Sequence, residues 1–452
     1  MRDTALGKTE RTTIVGNWWR YNMKTKILVR GPALSRSGYG EHTRFILRAL
    51  RSREEIFDIY LHNLNWGKTG WIWEEDEERK WTDALINKTA DHIQNGGQFD
   101  ISMQVTIPNE WEKLAPINIG VTAGIETSKV APQWIEKAQN VDHIITISEH
   151  SKNTFLNTSY QATNNQTGEV LNNFRCTKPI DVVHYPVRDF EPADLDLDFE
   201  TDFNFLAVAQ VSPRKNMTNT VKWFVEEFFA QPIGLVLKCT QVNNSIIDRM
   251  HTRNNLTKLL AEYPDRKCKI YLLHGSMTDS EMTALYRHPK IKALISLAHG
   301  EGFGLPIFEA VYNELPVIAA DWSGHIDFLY APVKDKKTGE LKDKAHYAKV
   351  KYTLQPIQPE AHWEGVLQKD SMWAYADQGS YKMRLREVSK DYNRFKSQAK
   401  KLNKWVRDNF TSEQQYKKVV DIVMGSVGFS GEEVDDIGDW LNFLESDIVE
   451  HD

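Results

Sequence analysis

Short apolar runs alternate along the chain with longer stretches whose apolar positions recur every three or four residues. Runs of the first kind predict buried parallel strands. Stretches of the second kind predict the helices between them, because consecutive strands can run in one direction only across a helix-length connection. In the first half, strands are predicted at Ile27–Arg30, Phe57–Leu61, Ile101–Val105, Ile117–Thr122, His143–Ser148 and Asp181–Tyr185. In the second half they are predicted at Phe205–Gln210, Leu235–Cys239, Ile270–Leu273, Ala293–Leu297 and Val317–Ala320, with helical segments such as Asn216–Phe229 and Ser280–Tyr286 between them. Two such series imply two sheets, and so an α/β chain of two domains.

The boundaries follow from breaks in the pattern. Residues 1–23 are polar and without period, and are read as an N-terminal extension in which Trp18 and Trp19 are the residues able to dock. A first domain spans 24–186, an acidic linker 187–203, a second domain 204–390, and closing helices with an acidic C-terminal segment 391–452. The linker's alternating Asp194, Asp196 and Asp198 have a metal reading, as Asp-x-Asp, but a charge run between domains is more commonly solvated, and that reading is preferred. Lys334–Lys351, with its Lys-Lys-Thr-Gly turn, is predicted to form an exposed hairpin whose lysines are solvated rather than lipid-facing. Near the end, Ile437, Trp440, Leu441, Leu444 and Ile448 recur at helical spacing and predict a short amphipathic helix docked on the rest of the chain.

Composition narrows the class. With 452 residues, 41% of them hydrophobic and 26% charged, and a net charge of -6, the chain is expected to be soluble and globular, with no footprint for nucleic acid. Cys176, Cys239 and Cys268 have no metal or redox spacing and are read as reduced thiols. No apolar run approaches the roughly 18 residues that would cross a bilayer, and a secretory leader is not recognisable. A cytoplasmic protein is expected, with peripheral membrane contact left open.

The segment from His299 to Ala310, His-Gly-Glu-Gly-Phe-Gly-Leu-Pro-Ile-Phe-Glu-Ala, carries the most chemistry. It follows a predicted buried strand and leads into a helix. Gly300, Gly302 and Gly304 are read as positions where backbone approaches a ligand closely, and Pro306 fits a first helical turn. Free N–H groups and the positive end of the helix dipole suit a pyrophosphate there. Glu301 and Glu309, eight positions apart, can border one cleft, and paired carboxylates beside a phosphate site suit sugar and ribose hydroxyls. The plainer alternative is a helix start with one glutamate favoured by the dipole and another exposed.

This segment resembles the Glu-x7-Glu motif of the family 4 (group 1) retaining glycosyltransferases. The resemblance extends to Ser212-Pro213-Arg214-Lys215-Asn216, similar to the family's basic donor-phosphate loop, and to Leu315–Ala320 and Trp373–Asp377. In the first half, Gly31-Pro32 through Ser37-Gly38-Tyr39-Gly40 resembles the flexible glycine loop that faces both substrates. Ile125-Glu126-Thr127 with Pro132, Trp134 and Ile147-Ser148 is similar to one branch. Coverage runs from about Lys24 to Val423.

The resemblance implies a GT-B fold, two Rossmann-like domains facing each other across a cleft. It also implies a metal-independent hexosyltransferase of glycan biosynthesis, needing no cofactor, that uses a nucleotide-sugar donor. Glu309 would hold the ribose, Glu301 would touch donor sugar hydroxyls, and N–H groups of Gly302, Phe303, Gly304 and Leu305 would meet sugar and phosphate oxygens. Lys215 with Arg214 would neutralise the departing diphosphate, while Gly38, Tyr39 and Gly40 would face the donor from the first domain. Retention of anomeric configuration is implied by the resemblance alone. The acceptor hydroxyl stays open among glycan, lipid-linked and protein molecules.

There are departures. Ala209-Gln210 stands where many members have Gly-Arg, Val121–Gly124 where many have a histidine, and Glu314-Leu315 where a small residue precedes Pro-Val. A nucleotide-sugar epimerase of the same fold, or a catalytically inactive sugar-nucleotide-binding relative, are the competing readings. His184, His274 and His299 lie at strand ends and are read as satisfied by backbone, with His325 nearer the expected cleft. Lys238 ends a strand on the ligand-facing edge, where structural and donor-binding roles balance.

Overall fold

In the computed structural model, residues 24–163 and 167–428 are described. The predicted helix around Trp440 and the N-terminal extension lie outside those residues. The first half contains β1 (Thr25–Gly31), β2 (Phe57–Asn63), β3 (Ile101–Val105), β4 (Ile117–Thr122), β5 (His143–Thr146), β6 (Ser159–Thr163), β7 (Val170–Arg175) and β8 (Ile180–Val182). Six of these form one parallel sheet in the order β2-β1-β3-β4-β5-β8, and β6 and β7 form an antiparallel hairpin. All five residues of β3 are buried, Ser102 and Gln104 included, as are the consecutive Ile27, Leu28 and Val29 of β1, as expected of strands covered on both faces.

In the second half, β9 (Asn204–Gln210), β10 (Gly234–Thr240), β11 (Lys269–His274), β12 (Ile291–Ser296) and β13 (Val317–Ala320) are followed by β14 (Tyr330–Lys334), β15 (Leu341–Ala345), β16 (Ala348–Val350), β17 (Tyr352–Pro356) and β18 (Met372–Ala376). The second sheet is parallel, in the order β11-β10-β9-β12-β13-β16. Helix Met217–Phe228 buries Thr220, Val221, Phe224, Val225 and Phe228, one face at helical spacing, and Phe224 and Phe228 pack on Phe205 of β9. Both sheets reverse direction of growth beside their first strand, β1 in one and β9 in the other, and ligands of such sheets bind at the carboxyl ends of the strands flanking that point.

Some expectations need correction. The strand predicted to reach Ser148 stops at Thr146, because the Ser148 hydroxyl accepts the Ser151 N–H and caps helix Glu149–Asn157. The strand predicted at Asp181–Tyr185 is the short β8 instead. The hairpin predicted over Lys334–Lys351 is β14 with β15, displaced toward the N-terminus, and Ala348–Val350 is the buried edge strand of the second sheet. In the linker, Asp194, Asp196 and Asp198 are exposed while Leu195 and Leu197 pack on the core beside buried Phe199. Among the described residues, no cluster of His, Cys, Asp and Glu could hold a metal ion. All three cysteines are free and buried. No helix among the described residues is long and apolar enough to cross a membrane.

After β18, Asp377 caps helix Gln378–Lys390, which packs on helix Met217–Phe228. Helix Tyr392–Asn409 then lies against Leu305–Tyr312, and Ser412–Ser426 crosses to the first half to pack on helix Gly38–Arg51. Val419, Val420, Val423 and Met424 are buried there, so the end of the described chain ties the two halves together.

Candidate active site

A cleft of about 890 Å³ separates the carboxyl ends of the two sheets, lined from both sides. The turn after β9 and the loop after β12, the strands at the reversal point of the second sheet, bring Lys215, Arg214 and Glu301 together in it. The Lys215 ammonium lies 2.5 Å from one Glu301 carboxylate oxygen, and Arg214 Nη1 lies 3.0 Å from the other. Arg214 also donates to the Gly300 carbonyl at 2.7 Å and pairs through Nη2 with Glu126 of the first half at 3.0 Å.

Burial alone would raise the Glu301 carboxyl, but Lys215 and Arg214 outweigh it and hold the group down at about 2. Burial, aided by Arg214, pushes Lys215 below the usual lysine range despite Glu301. These charges are held by backbone of uncommon shape. Asn216, directly after Lys215, has φ +50°, and Ser323, whose hydroxyl accepts the Glu301 N–H at 2.9 Å, has φ +83°. Left-handed non-glycine residues cost on the order of 1–3 kcal/mol each, so strain is concentrated where the charges are positioned.

Gly304 (φ +93°) precedes helix Leu305–Tyr312, in which Pro306 occupies the first turn. Among the described residues, the N–H groups of Gly302, Phe303, Gly304 and Leu305 have no hydrogen-bond partner, so this helix start offers free donors to the cleft. One turn into the helix, Glu309 accepts a hydrogen bond from the Tyr286 hydroxyl at 2.7 Å. Burial, with Asp279 and Glu41 nearby, pushes Glu309 up to about 7 against the opposing effect of Tyr286. Arg188, just after β8, bridges Glu41 of the first half at 3.0 Å and Asp279 of the second at 3.6 Å, beside this carboxylate.

Gly300 and Gly302 also make room for another part of the chain. A Cβ on Gly300 would fall 2.0 Å from the Glu126 carbonyl oxygen, and one on Gly302 would fall 2.1 Å from that of Ala123. Their missing side chains admit the first-half loop after β4.

The remaining candidates are spread unevenly. Phe303 buries its ring against His184, Tyr185, Phe308 and Phe328, so only its backbone is offered to the cleft. Tyr39 is buried, with its hydroxyl 2.8 Å from that of Thr122. Gly40 is required by the turn itself, since a Cβ there would meet the Ser35 carbonyl at 2.0 Å, whereas Gly38 has open space. Lys238 lines the cleft and donates to the Gly275 carbonyl. His299 donates to the Ala374 carbonyl as expected, but His184 and His274 bond the carboxylates of Asp327 and Asp248. His325, expected near the cleft, is buried and bonded to the Ala320 carbonyl. Glu126 was legible only as part of a motif, and nothing in the sequence pointed to Tyr286 or Arg188.

This is the GT-B fold. No protein-family model matches the chain. The glycosyltransferase of Rickettsia africae ESF-5 superposes with a TM-score of 0.57 at 13% identity, covering 90% of this chain and 100% of that one. The sucrose-phosphate synthase of Thermosynechococcus elongatus gives 0.56 at 12% identity over 89% of this chain and 99% of the other. Anabaena HepE, solved with UDP and glucose, gives 0.51 at 10% identity over 88% and 99%. At these identities the likeness is one of fold. In sequence, a stretch of 118 residues is 30% identical to the serotype-specific mannosyltransferase WbdA of Escherichia coli. It spans 26% of this chain and only 13% of that relative's length.

Proposed function

We propose that the chain is a glycosyltransferase that moves a hexosyl unit from a nucleotide sugar to an acceptor hydroxyl. The observation that carries this reading is the pairing, in one interdomain cleft, of a buried Lys215–Arg214–Glu301 cluster with the open N-terminus of helix Leu305–Tyr312 and Glu309. A diphosphate entering the cleft is a dianionic competitor for Lys215 and Arg214, so Glu301 is released to accept donor sugar hydroxyls. Free N–H groups from Gly302 to Leu305 meet phosphate and sugar oxygens, and Glu309 accepts from the ribose. The acceptor oxygen bonds to the anomeric carbon as the bond to the phosphate oxygen breaks, and the acceptor proton passes to that leaving oxygen. Negative charge then grows on the diphosphate, where a fixed, desolvated cation stabilises it most. Retention of configuration rests on the motif resemblance, as does independence from metal. The occurrence of UDP with the Anabaena fold relative and the mannosyltransferase stretch support a nucleotide-sugar donor.

The test is incubation of the full chain with a panel of nucleotide sugars, following release of free nucleoside diphosphate. Slow hydrolysis of one donor, accelerated by an acceptor, is expected. Conversion of the sugar without nucleotide release would make the protein an epimerase, and binding with neither reaction would make it an inactive relative.

The Glu309 assignment has its own signature. An ionised carboxylate is a stronger acceptor for two hydroxyls than a protonated one, one of whose oxygens carries a proton, so affinity for the nucleoside alone, free of phosphate titration, is expected to rise from about pH 6 to about pH 8 as Glu309 ionises. In Glu309→Gln the rise is expected to vanish, and calorimetric titration at several pH values reads both. Stability runs the other way. Because the folded-state value lies above the unfolded one, the group binds more protons when folded between about 4.5 and about 7, and the ligand-free protein loses stability across that window as pH increases.

A further inference from the structure

Helix Ile246–Leu260, which follows β10, is turned inside out over its first two turns. Its buried side chains are Asp248 and Thr252, while Ile246 is 78%, Ile247 67% and Met250 57% exposed. Val242, just before the helix, is 38% exposed.

The buried polar side has a local reason. The Asp248 carboxylate accepts the N–H groups of Gln241 and Val242 at 2.9 and 3.0 Å and bonds His274 at 2.7 Å. The Ser245 hydroxyl accepts the Asp248 N–H, and the Thr252 hydroxyl donates to the Asp248 carbonyl at 2.9 Å. These contacts fix the turn after β10 and the start of the helix, so the outward face is held in place. That apolar face has no such reason. Ile246, Ile247 and Met250, spaced one, three and four apart, stand together in water, and a contiguous apolar group calls for a partner where a single exposed side chain does not.

Charge around the face selects the partner. Asp248, buried, is the one acid between Ile246 and Leu260. Arg249, Arg253 and Lys258 are exposed, as is His251, and among the described residues none of the three cations has an ion pair. At about 3.6 residues per turn, Arg249 and Arg253 fall on one flank of the apolar face, His251 and Lys258 on the other. Acids of the neighbouring elements are engaged elsewhere. The helix packs on β10 and on helix Met217–Phe228, whose Glu226 and Glu227 pair with Lys382 and Arg386. Glu281, before which the loop after β11 runs, accepts the Thr278 N–H of its own helix start at 2.7 Å. A chain of net charge -6 thus shows one positive sign here.

A second copy meeting this face about a two-fold axis would set cation against cation, because both flanks carry them. Nucleic acid would leave the isoleucines in water. An anionic bilayer satisfies both features, with headgroups for the cations and the acyl boundary for the apolar side chains. We infer that the start of helix Ile246–Leu260 docks the protein on an anionic lipid surface. Val242, Asn243 and Asn244 line the cleft, so the docked helix holds the second-half rim of the cleft beside the bilayer. The inference does not depend on the chemistry proposed for the cleft.

The experiment sediments the full chain with vesicles of phosphatidylcholine alone and of phosphatidylcholine with phosphatidylglycerol. Binding to the mixed vesicles only is expected, and added salt is expected to weaken it. Arg249→Gln combined with Arg253→Gln is expected to lower the affinity about twenty-five-fold, about fivefold for each cation, and Ile247→Ser about tenfold. Because these side chains are exposed, the melting temperature and its shift with nucleoside diphosphate are expected to stay as in the parent. Ile246→Cys carrying an environment-sensitive dye, which the three buried native cysteines escape, is expected to shift its emission to the blue on mixed vesicles. Absence of binding to mixed vesicles, equal binding to phosphatidylcholine alone, or undiminished binding by both variants overturns the inference. So does a dye whose emission is unchanged on bound vesicles, or a concentration-dependent dimer of the lipid-free protein that Ile247→Ser abolishes.

Discussion

Lys215→Ala is expected to lower kcat by about two to three orders of magnitude while changing the donor dissociation constant by about tenfold or less. The asymmetry comes from where the charge is used. In the ligand-free protein the Lys215 ammonium is matched by Glu301, so binding a ground-state diphosphate exchanges one anionic partner for another, with small net gain. In the proposed transfer, charge accumulates on the phosphate oxygen as the glycosidic bond breaks, and the same ammonium, out of bulk water, would then contribute most. Removing Lys215 leaves Glu301 paired to Arg214 at 3.0 Å, so no buried carboxylate is orphaned and the fold is expected to survive. Steady-state rates and donor affinity by calorimetry give the two numbers. A variant with unaltered kcat and a proportionately weakened donor would show that Lys215 serves binding alone.

What could be read from the sequence follows the range of each interaction. Strands such as β9, with Phe205–Ala209, and β13 are uninterrupted apolar runs and declare themselves locally, as does the helix start at Gly304 to Pro306, where proline follows glycine by two residues. The strand β16 is three residues long with a lysine at its centre and gives no period to find, and β7, exposed at every residue but Phe174, does not alternate. Side chains meeting from distant positions were also invisible. Tyr286 reaches Glu309 from a neighbouring helix, and Glu126 reaches Arg214 from the other sheet. His184 and His274 were assigned to backbone because the sequence could not show that Asp327 and Asp248 fold against them. The most instructive difference concerns Gly300 and Gly302. A glycine in a loop signals close approach of some backbone, but only the fold reveals that the approaching chain is Ala123–Glu126 of the same molecule.

That contact predicts a large effect from a single methyl group. In Gly302→Ala the new Cβ would sit 2.1 Å from the Ala123 carbonyl oxygen and 3.1 Å from its carbon, both backbone atoms that no rotamer change can move. The loop after β4 must retreat or the two halves must part. Either movement draws Glu126 from Arg214 and shifts the Tyr39–Thr122 pair, which together hold the first-half wall of the cleft. Because a displacement of about 1 Å between reacting groups costs about a hundredfold, kcat is expected to fall by at least about that factor. Alanine keeps the N–H at position 302, and Glu309 and the helix start belong wholly to the second half, so the melting shift produced by nucleoside diphosphate is expected to persist. Gly300→Ala, with its Cβ 2.0 Å from the Glu126 carbonyl, should behave in the same way. Gly38→Ala, which meets nothing within 4 Å, should leave the domains packed as they are. Small-angle scattering separates the cases: a radius of gyration that grows for the alanines at 300 and 302 but not at 38 ties the loss of turnover to closure. Full activity in Gly302→Ala would mean that the working enzyme never brings Ala123 this close.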